Sequence, residues 1–461
     1  MAAPASAIER TTFQHEQERR RQQSFTAYAI CGIVGSLMAL ALSLVLSPLI
    51  LFLGLILGGL VKRFVPLPLF DSFYDWLGRM PDLIEKGQSS IPSLIAYIVV
   101  LIAPGFLMLI GFALWSRRVR TGPSVRELAR AMGASDPEPH RLDEQRLVNI
   151  VEEMAIASGL SKPVVLLVDA PGPNVAVIGR SRREFAILVT RPLLPQLDRD
   201  ETQGTLAAAI ASVANGDLGV LETIRSMVYS MGLVNAFLDS PFSKSQRSNL
   251  WAFAKLAFTP RNRRTPEQVL DLERRLLNST QPEALSELDT FMQGSETKLW
   301  IKFAVFGFLL LPFLIARVAS LLIFGMMNLF VVGPLLSAAW KSRRYLADAS
   351  AVQYTRNPCG FGNALVEFSQ DWSPLGDDPW VEMTSVVSPS RVGASSKFGE
   401  AMNMAANFSP SVNRRIMRLQ AMGADIDYVP YREPNMVAAW ALIFGVIGIL
   451  AALVWGLSRL A

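Results

Sequence analysis

Histidine and cysteine side chains supply most metal and nucleophilic chemistry, and this chain of 461 residues holds two of each. His15 and His140 are not paired one helical turn apart, so no zinc site can be assembled from histidines. Cys31 lies in an apolar run and Cys359 follows a proline, 328 positions on; together they form no ligand motif and no disulfide framework. Ser212 has no histidine nearby and no lysine in its helix to act as base, so it is not a nucleophile. Asp217 and Asp348 offer oxygens suited to a hard cation, but two carboxylates alone are too few.

The composition says where any site must sit. Hydrophobic residues make up 51% and charged residues 18%, where a soluble domain runs near 25% charged. The charges are uneven, because long uncharged runs alternate with stretches of globular composition. This predicts a membrane protein with a soluble domain. A net charge of +5 is too small over this length to imply a nucleic-acid partner, and the excess Lys and Arg report topology instead.

Ala27 to Val61 is 35 residues without a charge, about 52 Å as one helix against a hydrocarbon core of about 30 Å. One tilted, overlong span or a tight hairpin broken at Ser47-Pro48 each accounts for it. Ile91 to Trp115 is a second run, and Met436 to Leu457 closes the chain with a third. Phe303 to Trp340 is interrupted only by Arg317, which suggests two short spans with the arginine near their turn. Five spans are expected. Arg10, Arg19, Arg20 and Arg21 precede the first span, Arg117, Arg118, Arg120, Arg126 and Arg130 follow the second, and Lys298, Lys302, Lys341, Arg343 and Arg344 flank the central pair. All three clusters are expected on the cytoplasmic side. The loop between the first two spans interleaves Phe64, Leu67, Phe70, Phe73 and Trp76 with balanced charges and reads as an interfacial segment.

From Gly122 to Lys298 the sequence is globular. Asp143 to Gly159 has Leu147, Ile150, Val151 and Met154 at helical spacing, an acidic start and a terminal glycine, which predicts an amphipathic helix. Pro163 to Val168 reads as a buried strand. Pro171 to Asn174 turns the chain, and Val175 to Gly179 then pairs with Phe185 to Thr190 as a hairpin. Asp198 to Glu201 opens a helix running through Ala214. Leu218 to Leu238 reads as a helix packed on the membrane face of the domain, and Ser243 to Glu287 as a solvated, partly mobile insertion.

Four segments carry a likeness: RLVNIVEEMAIASG ending at Gly159; Pro173-Asn174 through Gly179; Leu188-Val-Thr190 running into Leu197-Asp-Arg-Asp-Glu201; and YLADASAVQYTRNP from Tyr345 to Pro358. Together they resemble the HtpX-like membrane zinc metallopeptidases, relatives of the CAAX prenyl endopeptidases. The resemblance implies an α+β membrane protein, mostly helical, with a zincin-like peptidase domain, a small β-sheet and about five transmembrane helices. It divides the chain into a basic segment 1–26, two spans with an interfacial loop 27–116, a first peptidase-like part 117–298, a transmembrane hairpin 299–340, a second peptidase-like part 341–435 and a last span 436–457.

The family's chemistry rests on H-E-x-x-H, two histidines that hold zinc and a glutamate that activates the metal-bound water. Aligned on Asn215-Gly216-Asp217, which follows that motif in the family, the first histidine falls at Ala208, the glutamate at Ala209 and the second histidine at Ser212. The third ligand, a glutamate four residues before Asp348, falls at Arg344. All four are lost, one with a reversal of charge. Asn215, Asp217 and Asp348 remain as residues that braced the metal ligands, although Asn215-Gly216-Asp217 is equally readable as a helix cap and a new start. The resemblance thus implies a chain without bound zinc and without catalysis. Its expected partners are the lipid bilayer and a polypeptide or membrane protein, taken by strand addition at an edge marked by Asn174 and Gly179. Arg344 is expected to take over the positive charge of the zinc by pairing with Asp348 or Asp217. The alternatives are a working membrane endopeptidase of protein quality control with other metal ligands, and a structural subunit of a membrane complex.

Overall fold

The computed structural model describes residues 13–278, 307, 310–371, 373–375, 378–388 and 408–429. The expected last span, Lys298, Lys302, most of the stretch from Phe303 to Leu310 and the first basic residues lie outside them. In chain order the helices are α1 (Phe13–Val61), α2 (Pro68–Glu85), α3 (Ile91–Arg120), α4 (Val125–Ala131) and α5 (Leu142–Ser158). Then come β1 (Val164–Val168), β2 (Val175–Ser181) and β3 (Glu184–Thr190), followed by α6 (Leu193–Gln196), α7 (Arg199–Asn215), α8 (Asp217–Asp239), α9 (Lys244–Phe258) and α10 (Pro266–Asn278). The remainder comprises α11 (Leu311–Met327), α12 (Gly333–Thr355), α13 (Pro358–Gln370), α14 (Pro379–Thr384) and α15 (Val412–Ala421). They fall into two compact units.

One unit takes in Gly32–Ser124 and the described part of Thr223–Val331. Phe25–Val61 and Ile91–Arg120 are each long and apolar enough to cross a membrane. The first uncharged run is therefore a single helix, with Pro48 inside it rather than at a hairpin turn. Ser47 Oγ donates to Ile102 O at 3.0 Å and accepts from Gly105 N at 2.9 Å, beside Pro104 in α3. A hydroxyl thus serves backbone groups around a proline that cannot donate. A Cβ on Gly105 would stand 2.9 Å from the Ser43 backbone, whereas one on Gly111 would meet nothing within 4 Å. Gly105→Leu should therefore cost about 1–3 kcal/mol by overpacking, read as an earlier melt in detergent, with Gly111→Leu close to unchanged. Equal melts would show that α1 and α3 yield at this point.

Two expectations change here. Arg317 stands in the middle of α11 rather than at a turn, and it is buried against α8. The described part of the segment expected to be a solvated, partly mobile insertion, up to Asn278, forms α9 and α10, each with a buried side, and its remainder to Glu287 lies outside the described residues. Phe253, Leu256 and Ala257 of α9, and Val269, Leu272 and Leu276 of α10, are buried. Apolar residues at helical spacing lie between the charges in both helices, and the density of polar residues masks that period in sequence.

The other unit takes in Val125–Glu222, the described part of Val332–Ala461 and the start of α1. Its sheet has the order β1-β3-β2, with β1 parallel and β2 antiparallel to β3. Both strands of the expected hairpin are present, Val175 facing Val189 and Gly179 facing Phe185. A Cβ on Gly179 would lie 2.6 Å from Phe185 Cβ, so glycine is needed for that close approach. The core joins Leu147, Ile150 and Met154 of α5, Val177, Ile187 and Val189 of the sheet, Leu206, Ile210 and Val213 of α7, and Phe361, Leu365 and Phe368 of α13. α5 ends at Gly159 in the left-handed conformation, as its sequence predicts.

Candidate functional site

α7 is the helix on which the family's chemistry would sit. Asp198 and Glu201 close a capping box at its start. Gly204 lets α13 approach, since a Cβ there would stand 2.6 Å from Phe361 N. Gly216, with φ 88°, ends α7, and Asp217 opens α8 after a bend of 68°. The cap reading of Asn215-Gly216-Asp217 is thus the geometry found, and it delivers the Asp217 carboxylate to a buried point facing α12.

Ala208, Ala209 and Ser212 are buried in the packed face of α7. The alanines carry no lone pair, and Ser212 Oγ donates to Ala209 O at 2.8 Å. Among the described residues no three His, Cys, Asp or Glu side chains stand close enough to share a metal ion. The residues at the family's zinc positions do not fit zinc, which takes three protein ligands from His, Cys or carboxylate at a catalytic site.

Two carboxylates remain, and each faces its own arginine. Arg343, on α12 and buried, donates through Nε to Asp217 Oδ1 at 2.7 Å and also reaches Asn215 O. Asp348 accepts two parallel bonds at 2.8 Å from Arg415 of α15, the bidentate arrangement that suits a guanidinium. Asn215 Nδ2 reaches Ser350 Oγ at 3.3 Å. Burial pushes the Asp217 carboxyl up, while Arg343 and, behind it, Arg344 pull it down.

Arg344 does not take the role expected of it. Its guanidinium donates to Met383 O at 2.8 Å and Ser385 O at 2.5 Å, and it lies 5.7 Å from the centre of the Trp340 ring. Burial and the neighbouring Arg415 lower its pKa to about 10, so it stays cationic at neutral pH. Consecutive residues on a helix point about 100° apart. Hence Arg343, one step earlier, meets the α7–α8 junction, and Arg344 meets the chain beyond α14.

That stretch of chain is held along its length. Arg415 donates to Val386 O, and Val386 N donates to Val175 O at 2.7 Å. Asn174 Nδ2 donates to Val387 O at 2.9 Å and Ser373 O at 2.8 Å, while its Oδ1 accepts from Val175 N. Val386 therefore takes the place of a neighbouring strand at the start of β2. Asn174, expected to mark an open edge, is buried and grips the chain's own backbone. Gly179 serves the hairpin, and among the described residues no further strand pairs with β2 along Ile178–Ser181, which is half-buried to exposed. Arg415 and the segment from Met383 to Val387 went unnoticed in the sequence. The only signal for Arg415 is a pair of arginines in a short amphipathic stretch, which by itself reads as a solvated face.

No family model matches the chain, and no solved structure matches it. Curated proteins named protease HtpX homologue do. The one from Dictyoglomus thermophilum is 26% identical over 287 residues, 62% of this chain and 72% of the relative. The homologue from Caldanaerobacter subterraneus is 26% identical over 292 residues, 63% of this chain and 76% of the relative. A shorter match to the Tropheryma whipplei homologue reaches 36% over 95 residues, 21% of this chain and 33% of that one. With a helical fold around a small sheet and, among the described residues, two helices fit to cross a membrane, this similarity makes the chain a member of the HtpX-like membrane metallopeptidase family.

Proposed function

We propose that this chain is a membrane pseudoprotease, an HtpX-like fold that holds a polypeptide or a partner membrane protein without cutting it. The observation that carries this reading is the fate of the family's zinc positions. Ala208, Ala209, Ser212 and Arg344 offer no ligand set, and Asp217 and Asp348 are each neutralised by an arginine. What remains useful is a set of donors, Arg344, Arg415 and Asn174, that binds main-chain carbonyls of the chain's own stretch from Met383 to Val387. A polypeptide strand would add along Ile178–Ser181, beyond the place that Val386 occupies, with backbone hydrogen bonds supplying affinity. The basic end of α3 supports a bacterial inner-membrane location with the sheet-bearing unit in the cytoplasm.

Purified full-length protein is expected to carry well under one zinc per chain and to leave casein intact. One zinc per chain, together with cleavage stopped by a chelator, would overturn the reading in favour of a working endopeptidase. For binding, p-benzoylphenylalanine in place of Ser181 should crosslink an added unfolded polypeptide, while the same probe in place of exposed Ile156 should not. Equal crosslinking at both sites would remove the strand-addition element.

A further inference from the structure

We infer that the outward face of α9 is a binding surface for an anionic lipid bilayer. Gln246, Asn249, Phe253, Leu256 and Ala257 form its buried side. On the opposite side Lys244, Trp251, Lys255 and Phe258 follow one another at spacings of seven, four and three, which is a single stripe on a helix. Trp251 is 73% and Phe258 75% exposed. Large aromatic side chains alternating with lysines suit the headgroup region, where the ring enters the acyl boundary and the ammonium reaches back to water and phosphate.

Its place beside a span selects the bilayer as the occupant. Phe253 meets Phe112 of α3 edge to face at 6.4 Å, and Phe258 meets Trp115 at 5.3 Å. Those contacts lie in the last turns of the uncharged part of α3, just before Arg117, Arg118 and Arg120. Beyond α9 the chain is tied to the same helix end, because the Arg264 guanidinium donates to Arg118 O and, at 3.2 Å, to Val119 O. Both carbonyls belong to the last turn of the helix, where Arg118 O also accepts from Thr121 Oγ1 at 2.8 Å. α9 is thereby fixed at the level where α3 leaves the hydrocarbon.

Charge gives the lipid its sign. From Ser240 to Pro266 the chain carries Lys244, Arg247, Lys255, Arg261, Arg263 and Arg264 and no Asp or Glu. A face that merely contacts water has no reason to exclude carboxylates over 27 residues, whereas juxtamembrane cations gain from an anionic leaflet. This inference stands on unit contacts and sequence alone and is independent of polypeptide binding.

The test uses full-length protein with Cys31→Ser and Cys359→Ser, reconstituted in vesicles and spin-labelled through Trp251→Cys, Phe258→Cys or, as an aqueous control, Glu267→Cys. In phosphatidylcholine vesicles containing phosphatidylglycerol, the ratio of oxygen to aqueous-nickel collision rates should be several-fold higher at the two aromatic positions than at the control. It should fall in phosphatidylcholine alone, and also after Lys244→Gln with Lys255→Gln. Labels as accessible to nickel as the control in both vesicles would overturn the proposal. Equal immersion in both would overturn its anionic part. In protein carrying no spin label, Trp251→Phe should remove a portion of the tryptophan emission quenched by brominated lipid, and no change in that portion would contradict the labels.

Discussion

Arg343→Ala is expected to destabilise the protein by about 3–5 kcal/mol, the cost of leaving a buried charge without its partner. Arg344→Ala should cost about 1–3 kcal/mol, the desolvation of neutral acceptors left unmade. The two residues are adjacent, both arginine and both buried, so their difference isolates what each one faces. Arg343 faces the Asp217 carboxylate in a place where water does not reach, and it also holds the end of α7 through Asn215 O. Arg344 faces two backbone carbonyls that can find other partners if the chain after α14 relaxes. At about 2–4 °C per kcal/mol for a domain of 150–250 residues, the melts of the two variants should be clearly resolved in detergent. A larger loss from Arg344→Ala would show that the carbonyl cradle, not the α7–α12 ion pair, holds the vacated site together.

The partners of these two arginines differ from what the sequence suggested, which was Arg344 paired with Asp348 or Asp217. Spacing along a helix put Arg344 on α12, and α12 packs against α7. It did not say which anion each arginine would meet. Asp348 lies one turn beyond Arg344, which is why an i, i+4 pair looked natural. Its partner comes instead from α15, 67 residues further on. Long-range partners of this kind leave no trace in local pattern. By contrast α5, the three strands and α7 were legible, since each carries its own periodicity, cap or turn. Asn174 shows the limit again: the likeness marked it as important, but only the fold reveals that it grips Val387 and Ser373 of its own chain.

Arg317→Met should be the most damaging single change in the other unit, and its rescue is the sharper test. The guanidinium is 2% exposed and donates to Asp239 Oδ1 and to Asn235 Oδ1, each at 2.9 Å. Around it Leu42, Leu109, Val234, Leu238 and Phe313 form an apolar cluster. Inside such a cluster both ions pay for lost hydration, and their mutual attraction does little more than offset that cost. Removing the cation alone takes from the fully buried Asp239 its ion pair at 2.9 Å, at a cost of about 3–5 kcal/mol. Removing both with Arg317→Met and Asp239→Leu takes away the attraction and the desolvation together, so the double variant should melt near the parent or above it. The double variant then loses far less than the sum of the two single losses, a large coupling between substitutions in direct contact. A double variant as unstable as the sum of its parts would mean that the pair positions α8 against α11 through geometry that apolar side chains cannot reproduce. In that case this pair would have to be counted among the working parts of the protein.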